Sequence, residues 1–318
     1  MAVNYNHDPE YQYLFGPVLS RRLGRSLGID LMSHKTCSLD CIYCECGKTT
    51  HLTVNEKKYI PTDKIVKELD RFLSKKPELD YITFSGSGEP TLHSGLSEIV
   101  NFINTKYPKY KIALLTNGTL FENKSTRENV AGVDLIVASF DAATKTVFDR
   151  INRPHLKLNL LNIIKGLIDL RNEFCGEYWI EVFIVPGIND SKAEIEKIGQ
   201  VIDLICPDKI QLNSLDRPGT ENSVLPADKK TLNRISSILK NSEIIIFDNN
   251  SLTNNNFSNI SRQKILSTIK RRPCTIKEAA KLFSVNQKEL IPYFDFLSKK
   301  GFIKSVSMQR GTFFKIVQ

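Results

Sequence analysis

The chain has 318 residues, 41% hydrophobic and 25% charged, with a net charge of +9. At roughly 100–200 residues per domain that is room for a large core and a second module, while the absence of any apolar run of about 18 residues excludes a membrane-spanning helix. Of the seven cysteines, four fall between 37 and 46 and Cys175, Cys206 and Cys274 stand singly, which argues against a secreted disulfide framework and for a reducing compartment. MAVNYNHDPEYQYLF has no basic segment followed by an apolar one, so the expectation is a cytoplasmic protein with no membrane partner. The charge is uneven: residues 258–318 hold 13 Lys and Arg against 3 Asp and Glu, and the remainder of the chain sums to −1. The basic character belongs to the C-terminal part.

In chain order, SRRLGRSLGID sets Arg21, Arg22 and Arg25 in a loop before a first strand, Leu27 to Met32. Three guanidiniums suit bidentate contacts to phosphate or carboxylate, and equally suit a solvated, salt-bridged loop. CSLDCIYC follows, with Cys37, Cys41 and Cys44 in a CxxxCxxC frame. Iron–sulfur clusters are usually held by four thiolates, so three would leave one iron of a [4Fe-4S] cube open for chemistry. Cys46 offers a fourth thiol, and with it the alternative of a structural zinc site. Zinc knuckles come as two separated pairs, whereas these thiols crowd together, so the cluster is preferred and Cys46 is a bystander beside it.

Beyond the cysteines, short β-branched runs alternate with amphipathic windows. Strands are expected over Tyr81 to Ser85, Lys111 to Leu115, Asp134 to Ser139, Trp179 to Val185 and Lys209 to Leu215, with Glu243 to Phe247 as a late extra. Helical spacing shows at Ile65, Leu69, Phe72 and Leu73, and again at Leu160, Ile163, Ile164, Leu167 and Ile168. A βα repeat implies parallel strands joined by right-handed crossovers, with functional groups at the C-terminal strand ends. There stand SGSGEPTL (85–92), where Gly86 and Gly88 would let the backbone approach a ligand beside Glu89, then Asn117, Ser139 and Asp141, then Val185 to Asp190 with Ile188. Polar groups at such positions suit ribose or carboxylate contacts and are also ordinary turn and cap residues. Arg217, in QLNSLDRPG (211–219), suits either an anionic substrate group or a plain loop.

DNNSLTNNNFSN (248–259) lacks periodicity and reads as a linker. After it come helices at Ser261 to Lys270, at a second segment capped by Thr275 and Glu278, and at Asn286 to Lys300, then two alternating runs flanking Met308 to Gly311. Three helices and a hairpin spell a winged helix-turn-helix, and its excess of positive charge suits nucleic acid, with Lys288, Lys299, Lys300 and Arg310 as the first cations to meet phosphate. Many such folds bind peptides or proteins instead. The expected division is 1–250, a linker at 251–258, and 259–318, with the last segment serving substrate affinity and not the chemistry at the cysteines.

CSLDCIYC, with Tyr43 before its last cysteine, resembles the signature of the radical S-adenosylmethionine (SAM) superfamily, and SGSGEP resembles that family's Gly-Gly-Glu-Pro motif, with Ser87 in place of a glycine. The resemblance implies an α/β partial (β/α)6 TIM-like barrel over about residues 20–250 and a [4Fe-4S] cluster on Cys37, Cys41 and Cys44. It further implies SAM near Tyr43, Gly86, Gly88, Glu89, Asn117, Ser139, Asp141, Val185 and Ile188. An external electron donor such as a flavodoxin or ferredoxin would drive cleavage of SAM to a 5'-deoxyadenosyl radical, which abstracts hydrogen from an unidentified substrate, with RNA as a candidate. FGPVLSRRLGRSLGIDLMSHKTCSLDCIYCECGKTT is similar to a group of Fe–S oxidoreductases classed near the wyosine-base synthases, although their second cluster's cysteines do not precede the motif. The alternatives are a peptide- or protein-modifying radical SAM enzyme and a redox-sensing Fe–S transcriptional regulator.

Overall fold

The computed structural model describes residues 11–245 and 262–317, apart from Arg21, His34 and Ser284. The expected linker at 251–258, the far end of the late strand and Arg21 lie outside the described residues.

In chain order the elements are β1 (Leu14–Ser20), β2 (Gly24–Ile29), β3 (Thr36–Cys37), β4 (His51–Leu52), α1 (Thr62–Leu73), β5 (Tyr81–Phe84), α2 (Leu96–Lys106), β6 (Lys111–Thr116), α3 (Lys124–Val130), β7 (Leu135–Ser139), α4 (Lys145–Ile151), α5 (Leu160–Glu173), β8 (Glu177–Ile184), α6 (Lys192–Ile205), β9 (Lys209–Ser214), α7 (Lys229–Ile238), β10 (Ser242–Ile244), α8 (Arg262–Arg271), α9 (Ile276–Phe283), α10 (Gln287–Lys299), β11 (Ile303–Met308) and β12 (Gly311–Ile316). The main sheet runs β1-β2-β5-β6-β7-β8-β9-β10. From β2 to β10 every pairing is parallel, which brings the strand C-termini to one end. Both sheet faces are covered, so central strands such as β7 (LIVAS) are almost continuously buried. The helices pack through their periodic faces: Ile65, Leu69, Phe72 and Leu73 are all buried on α1.

Two features of the N-terminal region differ from expectation. The first parallel strand is Gly24–Ile29 and not Leu27 to Met32, and β1 adds antiparallel to its outer side. A Gly-Pro inside LFGPVLS reads as a turn in the sequence, yet an irregularity between Phe15 and Val18 absorbs it and lets the ladder continue. The arginines here serve the fold, Arg22 pairing with Glu181 and Arg25 with Glu78.

Beyond residue 262, α8–α10 and the β11–β12 hairpin enclose an apolar core of their own, centred on Ile265, Phe283, Leu290 and Phe294. The capping pair forms as expected, Thr275 N donating to Glu278 and Glu278 N to Thr275 Oγ1. Gly301, at φ +72°, turns the chain out of α10. This module is locked onto the C-terminal end of the sheet by charge. Arg217, 2% exposed, donates to Glu278 through both terminal nitrogens at 2.8 Å and to Pro273 O at 2.7 Å. Arg310 joins the same Glu278 at 2.6 Å and also pairs with Asp216. Arg217 is therefore neither a substrate clamp nor a plain loop residue, and Arg310 is occupied internally and not held out toward phosphate.

Removing one partner of a buried ion pair leaves an uncompensated charge, so Glu278→Gln should lower the unfolding free energy by about 3–5 kcal/mol at neutral pH. Burial opposes ionisation of Glu278, but the Arg217 guanidinium holds its carboxyl down to about 2 against an ordinary 4.5. A depressed carboxylate stabilises the fold above the unfolded value and loses that contribution as pH falls through the folded one. Urea unfolding from pH 5 to about 2 should therefore show an acid-dependent component in the wild type that is missing in the variant.

Candidate functional site

The cysteine loop is pinned from both sides. Thr36 and Cys37 pair with His51 and Leu52, Asp40 N donates to Asn152 O and Ile42 N to Ile151 O, and Thr49 N donates to the Asp40 carboxylate at 2.6 Å. The turns Cys44 N to Cys41 O and Gly47 N to Cys44 O finish the segment. Two of the three expected ligands meet an amide donor and the third faces a cation. Asn117 Nδ2 lies 3.5 Å from Cys37 Sγ, Asn152 Nδ2 lies 3.4 Å from Cys41 Sγ, and the charge of the buried Lys35 acts on Cys44.

The electrostatics follow from burial. It pushes Cys37 up to about 11 despite the nearby Lys35, and pushes Cys41 up with help from the Asp141 charge. The bond from Cys46, and then Lys35, hold Cys44 well below the ordinary thiol range. Lys35 itself is 3% exposed. Burial works against its charge, but the sulfurs of Cys44, Cys37, Cys46 and Cys41 face it and hold its pKa above the ordinary lysine value. A buried ammonium needs a counter-charge, and here it is the Cys44 thiolate, the sulfur of the loop whose pKa is lowered.

Among the described residues no three His, Cys, Asp or Glu side chains gather closely enough to hold a single metal ion. A cluster, being larger than one ion, spreads its thiolates. Three cysteines, two of them with amide donors, and a facing cation suit such a group. Cys46 is no remote bystander: its Sγ lies 3.3 Å from Gly86 O and 3.1 Å from Arg271 O of the C-terminal module.

The strand ends supply a wall beside this loop, and most of their polar groups act as struts. Glu89, 2% exposed, accepts from Thr91 N and Oγ1, from Thr116 Oγ1 at 2.6 Å and from Asn117 N at 2.8 Å. Asn117 passes the connection on to Ser38 Oγ at 2.9 Å. The two glycines are required for packing: a Cβ on Gly86 would lie 2.7 Å from Asp30 Cγ, and one on Gly88 1.9 Å from Thr36 O. Their closeness is to the cysteine segment, not to an open cradle. Asp141 accepts from Tyr43 Oη at 2.5 Å, Asn152 Nδ2 at 2.8 Å and Phe183 N at 2.9 Å, and burial raises its carboxyl to about 6. Tyr43 stacks on Phe183 with ring centroids 3.9 Å apart. Ser139 is half-buried at the end of β7, and Val185 and half-buried Ile188 share the turn after β8.

Sequence reasoning missed four residues that organise the site: Asp30, Lys35, Asn152 and Asn189. Asn189, fully buried, holds the turn by accepting from Val185 N and donating to Asp141 O and Phe183 O. Asn152 lies in a loop far from the motifs in sequence, where a lone Asn carries no signal, and Asn189, inside the 185–190 segment, reads as an ordinary turn asparagine. Asp30 and Lys35 flank the cysteine motif closely enough to have been questioned as a carboxylate and an ammonium next to thiols.

A family model described as the radical SAM superfamily matches residues 32–198, more than half of the chain. The chain belongs to the radical SAM superfamily. Superfamily members work with a [4Fe-4S] cluster and SAM, and these are this chain's cofactors; radical SAM enzymes generally draw their electron from an external reductant. A UPF0026 protein of Methanocaldococcus jannaschii is 34% identical over 226 residues, covering 70% of each chain. A protein named GTPase Obg from Brachyspira hyodysenteriae is 32% identical over 294 residues, 92% of this chain and 43% of that one, so the radical SAM chain spans less than half the length of that relative. A radical SAM methyltransferase from Sphaerobacter thermophilus has the same fold, with a TM-score of 0.55 at 16% identity over 69% of this chain and 65% of that one. Among the described residues no helix is long and apolar enough to cross a membrane.

Because several buried donors converge on Glu89, Glu89→Ala leaves them without an acceptor, at about 1–3 kcal/mol for each unsatisfied group. Urea unfolding should register a loss of at least about 3 kcal/mol; a change within about 1 kcal/mol would show that this carboxylate does not hold the strand ends together.

Proposed function

We propose that Cys37, Cys41 and Cys44 are the protein ligands of the [4Fe-4S] cluster, that the wall formed by 85–92, Asn117, Ser139, Asp141 and 185–190 receives SAM, and that the substrate is RNA. The observation that carries the assignment is the pair of amide donors on Cys37 and Cys41, with the buried Lys35 facing these sulfurs and that of Cys44. When bound, the cluster and SAM supply reductive cleavage to a 5'-deoxyadenosyl radical and hydrogen abstraction from the substrate. The chain's own residues position and enclose: the Tyr43–Phe183 stack and the Asp141 network fix the cysteine loop against the ends of β7 and β8, and Glu89 fixes the ends of β5 and β6. The apolar Val185 and Ile188 suit the face of a purine, and the Ser139 hydroxyl suits a ribose or carboxylate. A flavodoxin or ferredoxin suits the role of electron donor.

For the substrate, the order of three helices and a hairpin supports a winged helix-turn-helix in a separate C-terminal domain, divided as 1–250 and 259–318. Lys288, Lys299 and Lys300 are exposed on and beside α10. A cleft between this domain and the cysteine loop is lined by Glu45, Cys46 and Asn222 on one side and by Lys270, Lys304 and Lys315 on the other. Lys270 and Lys304, beside the cluster loop, suit a phosphate-bearing substrate better than a neutral peptide.

Anaerobically purified protein should be brown and hold about four irons in the cluster. Cys37→Ala, Cys41→Ala and Cys44→Ala should each lose that iron, and Cys46→Ala should keep it. Dithionite and SAM should yield 5'-deoxyadenosine, while colourless protein with stoichiometric zinc would refute the assignment. RNA binding should weaken steeply with salt, and replacing Lys288, Lys299 and Lys300 by Ala should flatten the log–log slope by about 0.7 for each single-strand phosphate no longer neutralised, or about 0.9 on a duplex. Salt-insensitive binding of a peptide in place of RNA would move the protein to the peptide-modifying class.

A further inference from the structure

We propose that Arg271, on the C-terminal module, is a positioning residue for SAM: acting through Asp30 it holds Ser87, and with it the SGSGEP segment, so that docking of the module and binding of SAM are coupled. This rests on the assignment of that segment to the SAM site.

Asp30 follows β2 and its side chain is 5% exposed. Its Oδ2 accepts from Ser87 Oγ at 2.5 Å and from Arg271 Nε at 2.9 Å, and its Oδ1 accepts from Ser87 N at 3.1 Å and Met32 N at 3.4 Å. Arg271, at the end of α8 and 16% exposed, also donates through Nη2 to Gln12 O at 3.0 Å. The guanidinium therefore joins the segment before β1, the residue after β2 and, at one remove, the glycine motif. Gly86 sits at φ +126° directly on the Asp30 carboxylate, leaving no room for a Cβ. Cys46 Sγ repeats the connection, between Gly86 O and Arg271 O.

This arrangement gives a physical role to a departure from the family pattern. Where the resembled motif has glycine, the hydroxyl of Ser87 reaches the carboxylate that Arg271 neutralises; a glycine there would keep only the backbone N–H bond. Without Arg271, Asp30 is a buried carboxylate with neutral donors alone, the arrangement that costs most to keep dry. It would draw in water or rotate toward solvent, and Ser87 and the turn at Gly86 would shift with it. A lysine keeps the charge but lacks the planar fork that serves Asp30 and Gln12 together. Charge alone assigns residues 258–318 to substrate affinity with no contribution to SAM cleavage; in this proposal the same module also sets the geometry of the SAM motif.

The test uses full-length, cluster-loaded protein under anaerobic conditions, with SAM affinity read by equilibrium dialysis and by the SAM-induced change in the cluster's electron paramagnetic resonance spectrum. Iron content and circular dichroism report folding. Arg271→Ala and Ser87→Ala should each weaken SAM binding about tenfold, Arg271→Lys should recover part of the loss, and the double variant should be no worse than the weaker single one, because both changes break one chain through Asp30. In a Ser87→Gly background, replacing Arg271 should cost less than in the wild type. Wild-type affinity in Arg271→Ala, or a double variant with the product of the two single losses, would overturn the proposal; if Arg271→Ala fails to fold, the same comparison is made with Arg271→Lys and Ser87→Ala. A wild-type spectrum unmoved by SAM would overturn the parent assignment as well, an outcome distinct from a wild type that responds beside an Arg271 variant that responds equally.

Discussion

One buried carboxylate ties the site together. Glu89 stands at the mouth of the sheet, and through Thr116 and Asn117 it joins the end of β5 to the end of β6. Asn117 then extends the connection to Ser38 and to the sulfur of Cys37. A loop bearing three cysteines has no intrinsic shape, and side-chain amides and carboxylates fixed to strand ends give it one. Because a buried charge must be fully bonded to persist, this network holds only as a whole. That is why the strand ends are rigid where chemistry is expected of them.

A second carboxylate, Asp141, does the same across the mouth. It gathers the Tyr43 hydroxyl, the Asn152 amide and the Phe183 N–H, while Asn189 closes the turn behind it. The cysteine loop is thus held from β6 on one side and from β7 and β8 on the other. Its conformation is set by the parallel sheet and not by local propensity.

The architecture was legible because its signals are periodic. Alternating β-branched runs and helical spacing located the parallel strands from β5 to β10, the last beginning near Ser242, and set the first parallel strand, β2, three residues late, while the cysteine spacing with SGSGEP pointed to the family that the comparison found. Harder to read was the use to which each polar group is put. Gly86 and Gly88 look like an open approach to a ligand, but their missing side chains make room for Asp30 and Thr36. Arg217 and Arg310 look like cations offered to an anion, but they share Glu278 across the boundary between modules. Sequence counts charges and cannot tell which are cancelled inside, because cancellation depends on residues 61 and 32 positions apart in the chain. The antiparallel β1 escaped for a local reason, the Gly-Pro that reads as a turn and that the ladder accommodates as an irregularity.

The location of the docking contacts bears on how the protein is made. A chain emerges from the ribosome from its N-terminal end, and its segments fold in that order. Asp30, Asp216 and Arg217 are therefore synthesised well before Arg271, Glu278 and Arg310, the groups that cover them. Until residues 262–317 follow, the mouth of the sheet stays solvated, its carboxylates paired with water and its cysteine loop reachable from outside. Completion of the C-terminal module then acts as the closing step of assembly, covering carboxylates and a cysteine loop that stay open to water until it docks.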